Sequence, residues 1–110
     1  MMLSIFLPIY NKNQNLEQIL EKFVKQTDKD FELVLSLNSP SEQQLIALDK
    51  FKKSFKNQVI ILINDKNKIL SEQILDMVLL SSGEYFVYIA DFFRFWKQFS
   101  WIIFKIQTKI

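Results

Sequence analysis

Apolar residues along this chain keep two rhythms in alternation. Predominantly apolar runs at residues 3–9, 31–37, 59–63 and 85–90 predict buried strands. Between them, apolar residues fall at helical spacing. The sets are Leu16, Ile19, Leu20, Phe23 and Val24; then Leu45, Leu48, Phe51 and Phe55; then Leu70, Ile74, Leu75, Val78 and Leu79. Each set defines the face that a helix is expected to bury.

Punctuation residues fit these limits. Asn13 or Asn15 caps the first helix, and Glu17 suits the positive end of its dipole. Ser39, Pro40 and Glu42 read as an N-cap, a first helical residue and a capping-box partner for the second helix. Gly83 suits a left-handed cap after the third helix. The third run, Val59-Ile60-Ile61-Leu62-Ile63, has no polar residue, which predicts cover on both faces.

Strand and helix alternate three times before a last strand. Short loops and right-handed crossovers then require a mainly parallel α/β sheet in three layers, with helices on both faces. The expected order is 3-2-1-4, half of a doubly wound fold. Ligands of such sheets bind at the carboxyl ends of the strands, where the order reverses. That point lies between the first and fourth strands. It brings Pro8, Ile9, Tyr10 and Asn11 beside Asp91, with Asn38 at the end of the neighbouring strand. Pro8 is expected to mark where the first strand leaves its ladder.

Residues 1–93 form one unit in this reading, and residues 94–110 are an apolar, basic helical tail rather than a second domain. Phe92, Phe95, Trp96, Phe99, Ile102, Ile103 and Ile106 share a helical stripe, with Arg94, Lys97 and Lys105 among them. The stripe serves either as cover for the sheet or as an amphipathic helix on a membrane surface.

Composition narrows the chemistry. The 110 residues suffice for one core. There is no Cys, so disulfides and thiol chemistry are excluded. There is no His, which removes the commonest general base and zinc ligand. A net charge of +2 is too small to indicate a nucleic-acid partner, and none is expected. Lys50, Lys52, Lys53 and Lys56 read as a solvated helix end. No run matches a signal peptide or the roughly 20 apolar residues of a membrane span, so the expected location is cytoplasmic, with the tail at most peripheral at the inner face of the membrane.

Four motifs, taken together, resemble the family 2 glycosyltransferases, in the amino-terminal, nucleotide-binding half of their A-type fold. Residues 3–11 resemble the family's opening strand and its Pro-Val-Tyr-Asn motif. Residues 16–27 are similar to its first helix, which commonly ends in Gln-Thr. Phe31-Glu32 before an apolar run resembles its second strand. Gly83-Glu84-Tyr85 resembles the approach to its Asp-x-Asp metal motif. The resemblance implies sugar transfer from a nucleotide-sugar donor to a saccharide or lipid acceptor. It implies a divalent metal, Mg²⁺ or Mn²⁺, to neutralise the leaving diphosphate. Carried onto this chain, it assigns Pro8, Tyr10, Asn11 and Asn38 to the nucleoside pocket and Asp91 to the metal.

Departures from the pattern are equally specific. Asn38 stands where the family usually has Asp. Residues 69–77 replace a segment that usually reads Gly-Leu-Ser-x-Ala-Arg-Asn-x-Gly. Ala90-Asp91-Phe92-Phe93 keeps one carboxylate of the metal motif, displaced by one position. Residues 92–110 contain no Asp or Glu, where the family places its acceptor half and catalytic base. The expectation is a truncated, degenerate member with impaired transfer and no assignable catalytic residue. The alternative is a non-enzymatic module that meets a second copy, a separate catalytic chain or a membrane surface.

Overall fold

A computed structural model describes residues 3–25 and 30–88, together with the backbone of residues 102–105. The elements follow in the order β1 (Leu3–Ile9), α1 (Leu16–Val24), β2 (Phe31–Asn38), α2 (Glu42–Ser54), β3 (Val59–Asn64), α3 (Leu70–Leu80), β4 (Tyr85–Tyr88) and β5 (Ile102–Lys105). They build one sheet in the order β3-β2-β1-β4-β5. The first four strands are parallel in the expected 3-2-1-4 arrangement, and β5 pairs antiparallel with β4. Helical spacing predicts a helix through Ile102 and Ile103. These residues instead extend the sheet, with Val87 opposite Ile103. The remainder of the expected tail helix, and Asp91, lie outside the described residues.

Strand alternation divides the core in two. Ile5, Leu7, Ile9, Leu33, Leu35, Leu37 and Val87 face α1 and α2, where they meet Leu16, Ile19, Leu20, Phe23, Leu48, Phe51 and Phe55. Phe6 and Val34 face the other way, toward Met77 of α3. Phe6 stacks on Phe86 at 4.6 Å across the β1–β4 pair. Among the described residues, no helix is long and apolar enough to cross a membrane.

Three expectations about faces change. β3 is the edge strand, so its apolar run is only half-buried and Ile63 is exposed. In α3, Leu70, Leu75 and Leu79 are exposed, while Gln73 and Met77 are fully buried. Seven of the eleven residues of this helix are apolar and spread over more than half its circumference, so periodicity orients it poorly, and a glutamine hydrogen-bonded to β2 sets its rotation. In α2, Leu45 is exposed and Gln44 is buried.

Caps shift by local geometry. Asn15 caps α1, accepting from the Gln18 N–H at 3.1 Å. For α2 the cap is Ser41 rather than Ser39, with Gln44 closing the capping box. Ser39 has φ of 40° and gives its hydroxyl to the Asp65 carbonyl, so it cannot cap. Gly83 has no positive φ. Its N–H instead donates to Ser4 Oγ and Glu32 Oε2.

Glu32 is therefore a buried latch. Its Oε2 accepts from the Ser4 hydroxyl at 2.6 Å, from the Gly83 N–H at 3.1 Å and from the Ser82 N–H. It ties β1 and β2 to the segment that enters β4. Replacing Glu32 by Ala strands these donors, and unfolding in urea should show a loss on the order of 3 kcal/mol. Glu32→Gln keeps an acceptor and should lose less; equal losses would contradict the latch.

Candidate functional site

Pro8 sits inside β1, opposite Ser36, and is buried. It does not end the strand, which runs on to Ile9. Its effect on the ladder follows from alternation. Leu33 N–H donates to the Gln58 carbonyl, so odd-numbered residues of β2 serve β3 and even-numbered ones serve β1. By the same alternation, even-numbered residues of β1 serve β4. The missing N–H of Pro8 thus faces β4, past the last described pair, Phe6 with Tyr88. The β1–β4 ladder therefore lacks one donor close to the point where the sheet order reverses.

The turn after β1 then closes on itself. The N–H groups of Tyr10 and Asn11 both donate to Gln14 Oε1, at 2.9 and 3.0 Å. Asn11 Oδ1 accepts from the Asn13 N–H, an Asx turn. Gln44 crosses from α2 and donates to the Asn11 and Gln14 carbonyls at 2.9 and 3.1 Å. Much of the backbone of this turn is thereby paired internally, and Tyr10, 53% exposed, is the large apolar side chain the turn presents outward.

Tyr88, opposite Phe6 in the last described β1–β4 pair, is a residue that strand periodicity gave no reason to single out. Burial raises its phenol pKa, and the negative charge of an ionised Tyr10 raises it further, so the two phenols lie within electrostatic reach.

Asn38 is placed differently from the rim residues. It is 3% exposed, at the last position of β2. Its Nδ2 donates to the Lys68 carbonyl at 2.8 Å, and its Oδ1 accepts from the Lys68 N–H at 3.1 Å and from Asn64 Nδ2 at 3.0 Å. This is a two-pronged clamp on the backbone of the loop that enters α3. Asn64 and Gln73 also donate to Ser36 Oγ, both at 3.1 Å. The Lys68 ammonium pairs with Asp76 at 2.6 Å, and that hydrogen bond raises its pKa. A carboxylate at position 38 would accept from the Lys68 N–H but would repel its carbonyl.

The described residues contain no group of three His, Cys, Asp or Glu able to hold a metal ion. They do not by themselves fit a divalent cation, and Asp91 lies beyond them. A separate cleft of about 670 Å³ opens between the first turns of α1 and α2, lined by Lys12, Asn15, Glu17, Gln43, Gln44 and Lys50. Tyr10, Asn38 and Tyr88 do not line it, so its size is no argument for the crevice.

Two outcomes follow from this geometry. Asn38→Asp should lower stability by about 1–3 kcal/mol in urea unfolding, since it exchanges a buried hydrogen bond for a repulsion. Unchanged stability would show that the clamp is not needed. The raised pKa of Tyr88 has a definite sign. Stability from a phenol held neutral is complete below about pH 10 and is lost as pH rises through the folded pKa. The late-ionising component of the tyrosinate absorbance should be lost in Tyr88→Phe.

Comparison with known proteins bears on the fold and the family. The chain is 25% identical over 91 residues to a poly(ribitol-phosphate) beta-glucosyltransferase of Bacillus spizizenii strain W23, covering 81% of this chain and 14% of that protein. Its fold matches S. aureus TarS, with a TM-score of 0.66 at 20% identity over 81% of this chain and 16% of TarS. A shorter TarS chain in complex with UDP-GlcNAc gives 0.69 at 18% identity, over 81% of this chain and 26% of that one. The mannosyltransferase PcManGT of Pyrobaculum calidifontis, in complex with GDP-Man and Mn²⁺, gives 0.66 at 14% identity, over 77% and 26%. The chain thus spans about one-seventh of the curated relative's length. The sequence profile of Glycosyl transferase family 2 matches residues 4–91, and on that match this chain belongs to the family.

Proposed function

We propose that this chain binds the nucleotide of a nucleotide-sugar donor in the crevice at the carboxyl ends of β1 and β4. What carries the reading is the missing donor of Pro8 on the β4 side of β1, next to Tyr10 and near Tyr88. Structures of two structural neighbours, TarS with UDP or UDP-GlcNAc and PcManGT with GDP-Man, support a nucleoside diphosphate as the recognised unit. In this assignment the Tyr10 ring stacks on the base, Pro8 floors the pocket and Asn11 shapes the turn. Asn38 acts as a wall, by holding the Lys68 backbone rather than by offering its own amide.

Sugar transfer breaks the bond between the anomeric carbon and the diphosphate oxygen and forms one to an acceptor oxygen. The donor-binding part of that task belongs to the described residues, and no catalytic base is assigned among them. We infer that transfer by these 110 residues alone is impaired, because Asp91 is the only carboxylate after Glu84 and the chain has no histidine. Dependence on Mg²⁺ or Mn²⁺ belongs to the proposal through Asp91 and through the Mn²⁺ present with PcManGT. A cytoplasmic location and contact of the basic tail with a membrane's inner face are also proposals, which liposome flotation tests. Association with a separate catalytic chain would supply the acceptor half.

Calorimetric titration with UDP-GlcNAc and with GDP-Man, each with Mn²⁺ and with EDTA, tests the reading. Binding at or below millimolar donor is expected. Tyr10→Ala should weaken it roughly tenfold or more, the magnitude of one lost stacking contact. No heat with either donor, or full binding by Tyr10→Ala, would overturn the assignment.

A further inference from the structure

The cleft between the first turns of α1 and α2 has a chemistry of its own. Its volume of about 670 Å³ is that of a small-molecule site, typically roughly 300–1,000 Å³. Four of the side chains that line it also hold the local backbone. Gln14 Oε1 accepts the N–H groups of Tyr10 and Asn11, Asn15 Oδ1 accepts the Gln18 N–H, and Ser41 Oγ accepts the Gln44 N–H. Gln44, 3% exposed, spends its amide nitrogen on the Asn11 and Gln14 carbonyls. These bonds fix the side chains and commit their acceptor oxygens to the backbone. What the lining has left to offer is donors. Gln14 Nε2, Asn15 Nδ2 and the Ser41 hydroxyl proton are not matched by an acceptor among the described residues.

Charge points the same way. Lys50 reaches from α2 to Glu17 of α1 at 3.2 Å, so these two offset each other. Lys12 lines the cleft as well and makes no ion pair among the described residues. One unopposed cation beside a surplus of neutral donors suits an anion rich in acceptors. A phosphate ester presents three strong acceptor oxygens, against two on a carboxylate. The cleft is far larger than a phosphate, and the rest of its lining differs in kind. Asn13 and Gln43 keep both ends of their amides unbonded among the described residues, so each can give and accept a hydrogen bond, as a hydroxyl requires. Ile46, 62% exposed, and Ala47 add an apolar wall for a carbon skeleton.

We propose that this cleft binds the phosphate ester of a polyol or sugar, with the phosphate at Lys12 and the hydroxyls at Asn13 and Gln43. The site is distinct from the crevice beside β4 and does not rest on donor binding.

Amide shift mapping of the isotope-labelled full chain with glycerol 3-phosphate, inorganic phosphate and glycerol, at constant ionic strength, tests this. Saturable shifts at Lys12, Asn15, Gln43 and Lys50 are expected with the ester at millimolar concentration. Inorganic phosphate should bind the same residues more weakly, and glycerol should leave them unmoved. Lys12→Ala should weaken both phosphates roughly tenfold, the loss of one charge-assisted hydrogen bond. Gln43→Ala should narrow the gap between the ester and inorganic phosphate. Both side chains are exposed, so thermal unfolding of the two variants should match the wild type. Undiminished binding by Lys12→Ala, shifts centred on Tyr10 and Tyr88, no preference for the ester, or no saturable shift with either phosphate would each overturn the proposal.

Discussion

A strand buried on both faces can satisfy its backbone only sideways, and β1 lives under that constraint. Ser4 through Ile9 are all buried, between two layers of helix and two neighbouring strands. Every N–H must meet a carbonyl of β2 or β4. Proline at position 8 has no N–H to place, and parity aims that gap at β4 rather than β2. β1 is therefore short of one donor on its β4 side. That gap lies at the reversal of strand order, where an α/β sheet has room for a ligand.

Side-chain amides hold the rest of this edge in shape. Two glutamines, Gln44 in α2 and Gln73 in α3, occupy inward positions in the first turns of their helices. Gln44 fixes the turn after β1, and Gln73 grips Ser36 of β2. Asn38 and Asn64 bind the end of β2 to the end of β3 and to the loop before α3. These groups are neutral, so burying them against carbonyls costs far less than burying charge. At the opposite end of the sheet, the buried Glu32 performs the equivalent task for the entry to β4. The loops framing the crevice are thus held by hydrogen bonds from buried side chains, while Tyr10 is left to face outward.

The strand-helix alternation, the 3-2-1-4 order and the placement of Tyr10 and Asn11 at the carboxyl edge were legible from apolar spacing and turn residues. Family membership was legible from four ordered motifs. What periodicity could not supply was the orientation of α3. Leu70, Ile74, Leu75, Val78 and Leu79 look like a buried face, yet a hydrogen bond from Gln73 sets the rotation. The capping serine of α2 was misplaced because a positive φ at Ser39 has no signature in a non-glycine residue. Asn38 read as a ligand-contacting amide, because nothing in the sequence announces that both of its ends bind the Lys68 backbone. Tyr88 went unnoticed because its relation to Tyr10 exists only once β1 and β4 are neighbours.

The claim on which the functional account rests is the location of the donor nucleotide. Amide chemical-shift mapping of the isotope-labelled chain during titration with UDP and Mn²⁺ tests it most directly. The account predicts the largest shifts at Tyr10, Asn11, Lys68 and Tyr88, around the carboxyl ends of β1 and β4. Shifts confined to Lys12, Gln43 and Lys50, in the cleft between α1 and α2, or no shifts at saturating nucleotide, would contradict it.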